Sequence, residues 1–143
     1  MTENTGVKHG GPPGSRGRTT IADVVVEKIA GMAAGATLGV HAMGSGFARS
    51  MGSMRERMPG AGSGKSATRG VSVEVGEVQA AIDLEIVVDY GVSITDVASD
   101  VRENVISAVE RMAGLEVVEV NITVSDVKLP DEEDEEEERQ RVQ

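Results

Sequence analysis

The chain has 143 residues, enough for one ordinary domain, with a formal net charge of −10, no Cys, two His, one Tyr and one Phe. The missing thiols exclude disulfides, thiol nucleophiles and thiolate zinc sites, and His9 and His41 alone leave little scope for imidazole chemistry. Phe47 and Tyr90 cannot build a stacking platform for single strands, and the acidity argues against a nucleic-acid backbone as the main partner.

Residues 1–19, with GGPPGSRG in the middle, read as a disordered leader that lacks the hydrophobic block of a secretory signal. Thr20 is placed to cap a helix over 21–34, with Ile21, Val25, Ile29, Met32 and Ala33 at helical spacing and Gly35 as its stop. The piece 36–43 is short and reads as a strand. No span is long enough to cross a membrane: the run Ile29 to Met43 is uncharged but rich in Ala and Gly, where crossing takes about 20 strongly apolar residues. Residues 44–69 hold six Gly, five Ser and Pro59 and carry a net +4, which is the composition of a basic loop.

From Val71 the period changes to two. Val71, Val73 and Val75 alternate with Ser72 and Glu74, a turn falls near Gly76, and Val78, Ala80, Ile82, Leu84, Ile86, Val88 and Tyr90 then share one face. The two runs predict a hairpin with one wet side, Ala81 and Val87 being exceptions on the polar face. Gly91 breaks the strand, and Ser93 with Asp96 forms an acidic variant of the capping box. Ile94, Val97, Ala98, Val101, Val105, Ala108, Val109 and Met112 make the apolar stripe of a second helix, with Gly114 placed to end it. A last strand follows, with Val118, Val120, Ile122 and Val124 inward and Glu119, Asn121 and Thr123 outward. Eight consecutive acids from Asp131 to Glu138 form a solvated tail. These elements predict an α+β two-layer sandwich, with two helices packed on one face of a small antiparallel or mixed sheet. A single domain then covers 20–127, between the leader and an acidic disordered tail at 128–143.

The stretches 21–40 and 73–124 resemble the alkaline-shock-protein family (Asp/Gls type) of bacterial envelope stress response proteins. The resemblance rests on Ile-Ala-Gly at 29–31, Leu-Gly-Val at 38–40, Asp-Tyr-Gly at 89–91, Arg-Glu-Asn-Val at 102–105 and Gly-Leu-x-Val at 114–117. It implies a non-catalytic, cytoplasmic protein, in some members peripheral at the inner face of the cell membrane through a small integral membrane partner, and self-assembling there. The basic loop and the acidic tail depart from that pattern.

Candidate chemistry is sparse. PGAGSGKS at 59–66 imitates a phosphate loop, but Pro59 stands where the motif needs Gly, and a strand rather than a helix follows. Asp83 and Glu85 share a strand face about 7 Å apart, yet an open wet face gives no means of separating their pKa values for acid/base work. Weak divalent-cation binding with Glu74 or Glu119 is undirected. His41 reads as a lone edge histidine, and Tyr90 as a ring closing the core edge. The contact element is expected in 47–58: Phe47, Met51, Met54 and Met58 recur at helical spacing with Arg49, Arg55 and Arg57 between them, a basic amphipathic stretch suited to an anionic membrane or a partner groove.

No catalytic residues, metal site or cofactor are expected. The leading expectation is an envelope stress response or maintenance protein that acts by self-association and by binding a membrane partner. A polar sheet face and one free edge offer routes for dimerisation. The acidic tail is a candidate to bind a basic partner or the chain's own 44–69 loop. The alternative is a regulatory or ligand-binding module that docks on a metabolic enzyme; an RNA-binding module ranks last.

Overall fold

The computed structural model describes residues 11–44 and 68–132. A single 3-10 turn at Pro13–Ser15, within the stretch read as disordered leader, precedes α1 (Asp23–Gly35), β1 (Val40–Met43), β2 (Val71–Val75), β3 (Gln79–Asp89), α2 (Ile94–Ala113) and β4 (Glu116–Lys128). β3 is the central strand. β1 and β2 pair with one of its edges antiparallel, and β4 pairs with the other in parallel, so the sheet is mixed. The parallel pairing follows from α2, a helical crossover long enough to return the chain to the start of the sheet. α1 packs on α2, β1 and β2, and α2 on β4, so both helices cover one face. The predicted α+β architecture is the observed one.

β1 and β2 are two halves of one strand. Met43 pairs with Ile86 and Val71 with Leu84, which leaves Glu85 between them. The Gly44 N–H donates to the Glu85 carbonyl, while the Glu85 N–H donates to the Gly70 carbonyl. An antiparallel ladder expects both bonds from a single residue opposite Glu85. Here two glycines share that slot, and the basic segment leaves and rejoins the sheet at the same point.

The core is aliphatic. Ile82, Ile86 and Val88 of β3 meet Val97, Val101, Val105 and Val109 of α2, most of them with no exposed surface. Each contributes about 1.5–3 kcal/mol through burial. The α2 cap is as predicted: Ser93 Oγ accepts from the Asp96 N–H at 3.4 Å, and Gly114, at φ 70°, ends the helix with its N–H on the Glu110 carbonyl.

Several expectations are corrected. α1 begins two residues late, with Ala22 at the cap position and no side-chain capping bond from Thr20. Its buried face is Val26, Ala30, Gly31 and Ala34, whereas Val25 and Met32 from the predicted stripe are exposed. Small residues there let α1 approach the sheet closely, and closeness outweighs the larger side chains in choosing the face. Val78 and Tyr90 lie just outside β3 and are 70% and 65% exposed, so Tyr90 does not close the core. Ile94 and Met112, at the ends of the α2 stripe, are also exposed. In β4 Val117 is buried and Val118 exposed, because the register with β3 shifts between Ala80 and Ala81 and leaves Val118 as the extra residue. Lys128 belongs to β4 rather than to the tail.

Candidate functional site

Only Asp23, Glu27 and Lys28 carry charge among the 13 residues of α1. A helix this apolar has more greasy surface than one core face uses. Val26, Ala30 and Ala34 are buried in the core and Ile29 and Ala33 pack partly buried against it, while Met32 and Ala36 stay exposed. Ile29, Met32, Ala33 and Ala36 together line the side that faces α2. There they meet Ala108 and Met112, and the two helices enclose an open groove of about 640 Å³. Met32 and Met112 are 67% and 64% exposed, an apolar pair that folding leaves uncovered. Thioether side chains of this kind adapt to many partner shapes.

The groove's lining includes polar Asn104 and Ser107 and cationic Lys28 and Arg111. Thr37, buried, donates from Oγ1 to the Ala33 carbonyl at 2.9 Å and accepts from Asn104 Nδ2 at 2.9 Å. That relay ties the end of α1 to the middle of α2. Lys28 and Arg111 line the groove, and among the described residues no carboxylate forms an ion pair with either. On a chain of net charge −10 they give the groove a local sign opposite to that of the whole. Apolar lining beside two cations is complementary in chemistry to an apolar segment that carries acidic groups.

The residues singled out from the sequence fare variously. Phe47, Arg49, Met51, Met54, Arg55, Arg57 and Met58 lie outside the described residues, as do residues 59–66 of the phosphate-loop imitation. The described chain resumes in a turn at 68–70 and enters β2 at once, which leaves no helix N-terminus to hold a phosphate. Asp83 and Glu85 stand on the outer sheet face as expected. Asn121 Nδ2 bridges Asp83, at 2.9 Å, and Glu119. Among the described residues no group of three metal-ligating side chains is close enough to hold an ion. His41 Nδ1 lies 3.4 Å from Asp89 Oδ1 at the sheet edge. The groove itself escaped sequence reasoning, although the low charge of α1 was a visible signal.

A family described as the Asp23 family, with cell envelope-related function, matches residues 12–129. The chain therefore belongs to the Asp23 family. It is 33% identical over 117 residues to stress response regulator gls24 homologs of Streptococcus pyogenes serotypes M3 and M1, a match covering 82% of this chain and 62% of each relative. It is 35% identical over 113 residues to the uncharacterized protein YqhY of Bacillus subtilis (strain 168), covering 79% of this chain and 78% of that protein. The chain thus spans less than two thirds of the gls24 homologs. No solved structure matches it at a significant level. The family description is of cell envelope-related function, and the streptococcal relatives carry the name stress response regulator. No helix among the described residues is long and apolar enough to cross a membrane.

Proposed function

We propose that this Asp23-family chain is a non-catalytic maintenance protein of the cell envelope, acting by self-association and by binding a small integral membrane partner at the inner membrane face. The observation that carries this reading is the second apolar face of α1, which the fold leaves open in the groove beside Lys28 and Arg111. Ile29 and Ala33 on that face also pack against the core, but the exposed Met32 adds little to it, and a partner segment would cover Met32 together with Met112. The basic 47–58 stretch is proposed as a further contact, to lipid or to the partner.

The test is fractionation of cells expressing the tagged chain at native level, with identification of what co-purifies from the membrane pellet. The expected outcome is a small integral membrane protein, lost when Met32→Glu and Met112→Glu are introduced together. Retention by that double variant at the parental level would overturn the groove as the seat. Replacing Phe47, Met51, Met54 and Met58 with Ser tests the basic stretch separately. Recovery of the parent wholly in the soluble fraction would overturn the membrane reading.

A further inference from the structure

β4 is an edge strand, since among the described residues only β3 pairs with it. Its outer-face residues turn their backbone toward β3: the Glu116 N–H donates to the Val78 carbonyl, and the Lys128 carbonyl accepts from the Tyr90 N–H. Its helix-face residues turn theirs to the open side. Two side-chain bonds show this, with the Val117 N–H donating to Glu110 Oε2 at 3.0 Å and the Val120 carbonyl accepting from Arg102 Nε at 3.2 Å. At the other end the Val127 N–H is met by Asp126 Oδ1 at 2.8 Å. Both ends of the edge are therefore capped. Between them, no side chain among the described residues bonds the open-side groups of Ile122 or Val124.

The order of residues on this edge reads almost the same in both directions about Ile122. Val117, Val120, Ile122, Val124 and Val127 face the helices, at positions symmetric about 122. Each half carries one extra residue, Val118 or Ser125, where the register with β3 shifts. The terminal residues are Glu116 and Lys128, of opposite charge. Between Val120 and Val124 there is no charge at all.

We infer that β4 pairs antiparallel with β4 of a second copy, across a two-fold axis through Ile122, and that this is the surface of the self-association proposed above, on which the inference rests. Ile122 then exchanges backbone bonds with its own counterpart, and Val120 with Val124 of the other copy. The Val120 carbonyl has a second lone pair, so Arg102 can stay in place. Asn121 faces Thr123 of the other copy, and Glu116 faces Lys128. No acid faces an acid, whereas like charges directly opposite would be destabilising. Such pairing is isologous and closes at two copies, joining both sheets into one. The opposite edge is a poorer candidate, because the basic segment interrupts it between β1 and β2.

The test uses the full chain in sedimentation velocity over a micromolar concentration series, with cross-linking. The chain has no Cys, so an introduced thiol has no competitor. Asn121→Cys mixed with Thr123→Cys is expected to give a disulfide-linked dimer, because a non-hydrogen-bonded antiparallel pair sits about 4.5 Å apart at Cα. Either variant alone is expected to give far less, since identical positions are then offset by about 7 Å along the strand. Ile122→Pro removes an N–H that serves only the open side, and is expected to raise the dimer dissociation constant about tenfold or more. Asn121→Lys with Thr123→Lys, both on exposed positions, puts like charges opposite each other and is expected to abolish the dimer without unfolding the chain. A parent that dimerises without the mixed cross-link, and a Lys variant that dimerises as the parent does, would overturn this surface while leaving self-association standing. A parent that stays monomeric throughout would overturn both.

Discussion

Gly70 and Gly114 both have positive φ, yet they differ in what surrounds them. A Cβ on Gly70 would lie 2.5 Å from the Gly44 nitrogen and 2.7 Å from the Glu85 carbonyl oxygen, both backbone atoms that cannot move aside. A Cβ on Gly114 would meet nothing within 4 Å. Gly114→Ala therefore pays only for the left-handed conformation, about 1–2 kcal/mol. Gly70→Ala pays for that and for parting two halves of a strand, and is expected to lose at least about 3 kcal/mol or to fail to fold. Urea denaturation of the two variants checks the difference; equal losses would mean that the shared slot opposite Glu85 is not tight.

At the scale of the element, α1 separates stability from binding by face. Ala30 is fully buried and Met32, two residues on, is 67% exposed. Ala30→Leu forces a larger side chain between α1 and the sheet and is expected to cost about 1–3 kcal/mol. Met32→Ser is expected to change stability by no more than about 0.5 kcal/mol, as an exposed substitution should, while weakening partner retention. A loss of several kcal/mol from Met32→Ser in thermal unfolding would show that the groove is core rather than docking surface. The periodicity of α1 was legible in the sequence; its orientation was not. Val25, Ile29 and Met32 form as good an apolar stripe as Val26, Ala30 and Ala34, and only the sheet and α2 decide between them. β3 gave less room for error, because Asp83 and Glu85 could not face a core without partners.

At the scale of the whole molecule, the basic segment is an insertion in a completed sheet. Gly44 contributes the N–H and Gly70 the carbonyl of what one residue would supply. Deleting residues 45–70 joins Gly44 to Val71 and lets one glycine bond Glu85 on both sides. That variant is expected to unfold cooperatively at near-parental stability, since the closure entropy of so long a loop, about 3 kcal/mol, disappears with it. Circular dichroism during thermal unfolding checks this; a molten, non-cooperative product would mean that the segment holds the sheet together. Since the folded deletion variant lacks the 47–58 stretch, its membrane retention also tests that stretch as a contact.

The sequence by itself determined the order and type of the elements, the aliphatic core and the family kinship. Those follow from local periodicity, caps and turn residues, which act within a few positions of the chain. It could not determine which face of α1 is buried, that β1 and β2 are one strand, or that Val117 rather than Val118 enters the core. Nor could it show that the backbone of β4 is capped at both ends and open about Ile122. Each of these depends on a neighbour remote in the chain: a helix packed across, a strand in register, a carboxylate or guanidinium reaching over from α2. Local preference is indifferent among such arrangements, and only the assembled fold, through close packing and the pairing of backbone groups, selects one.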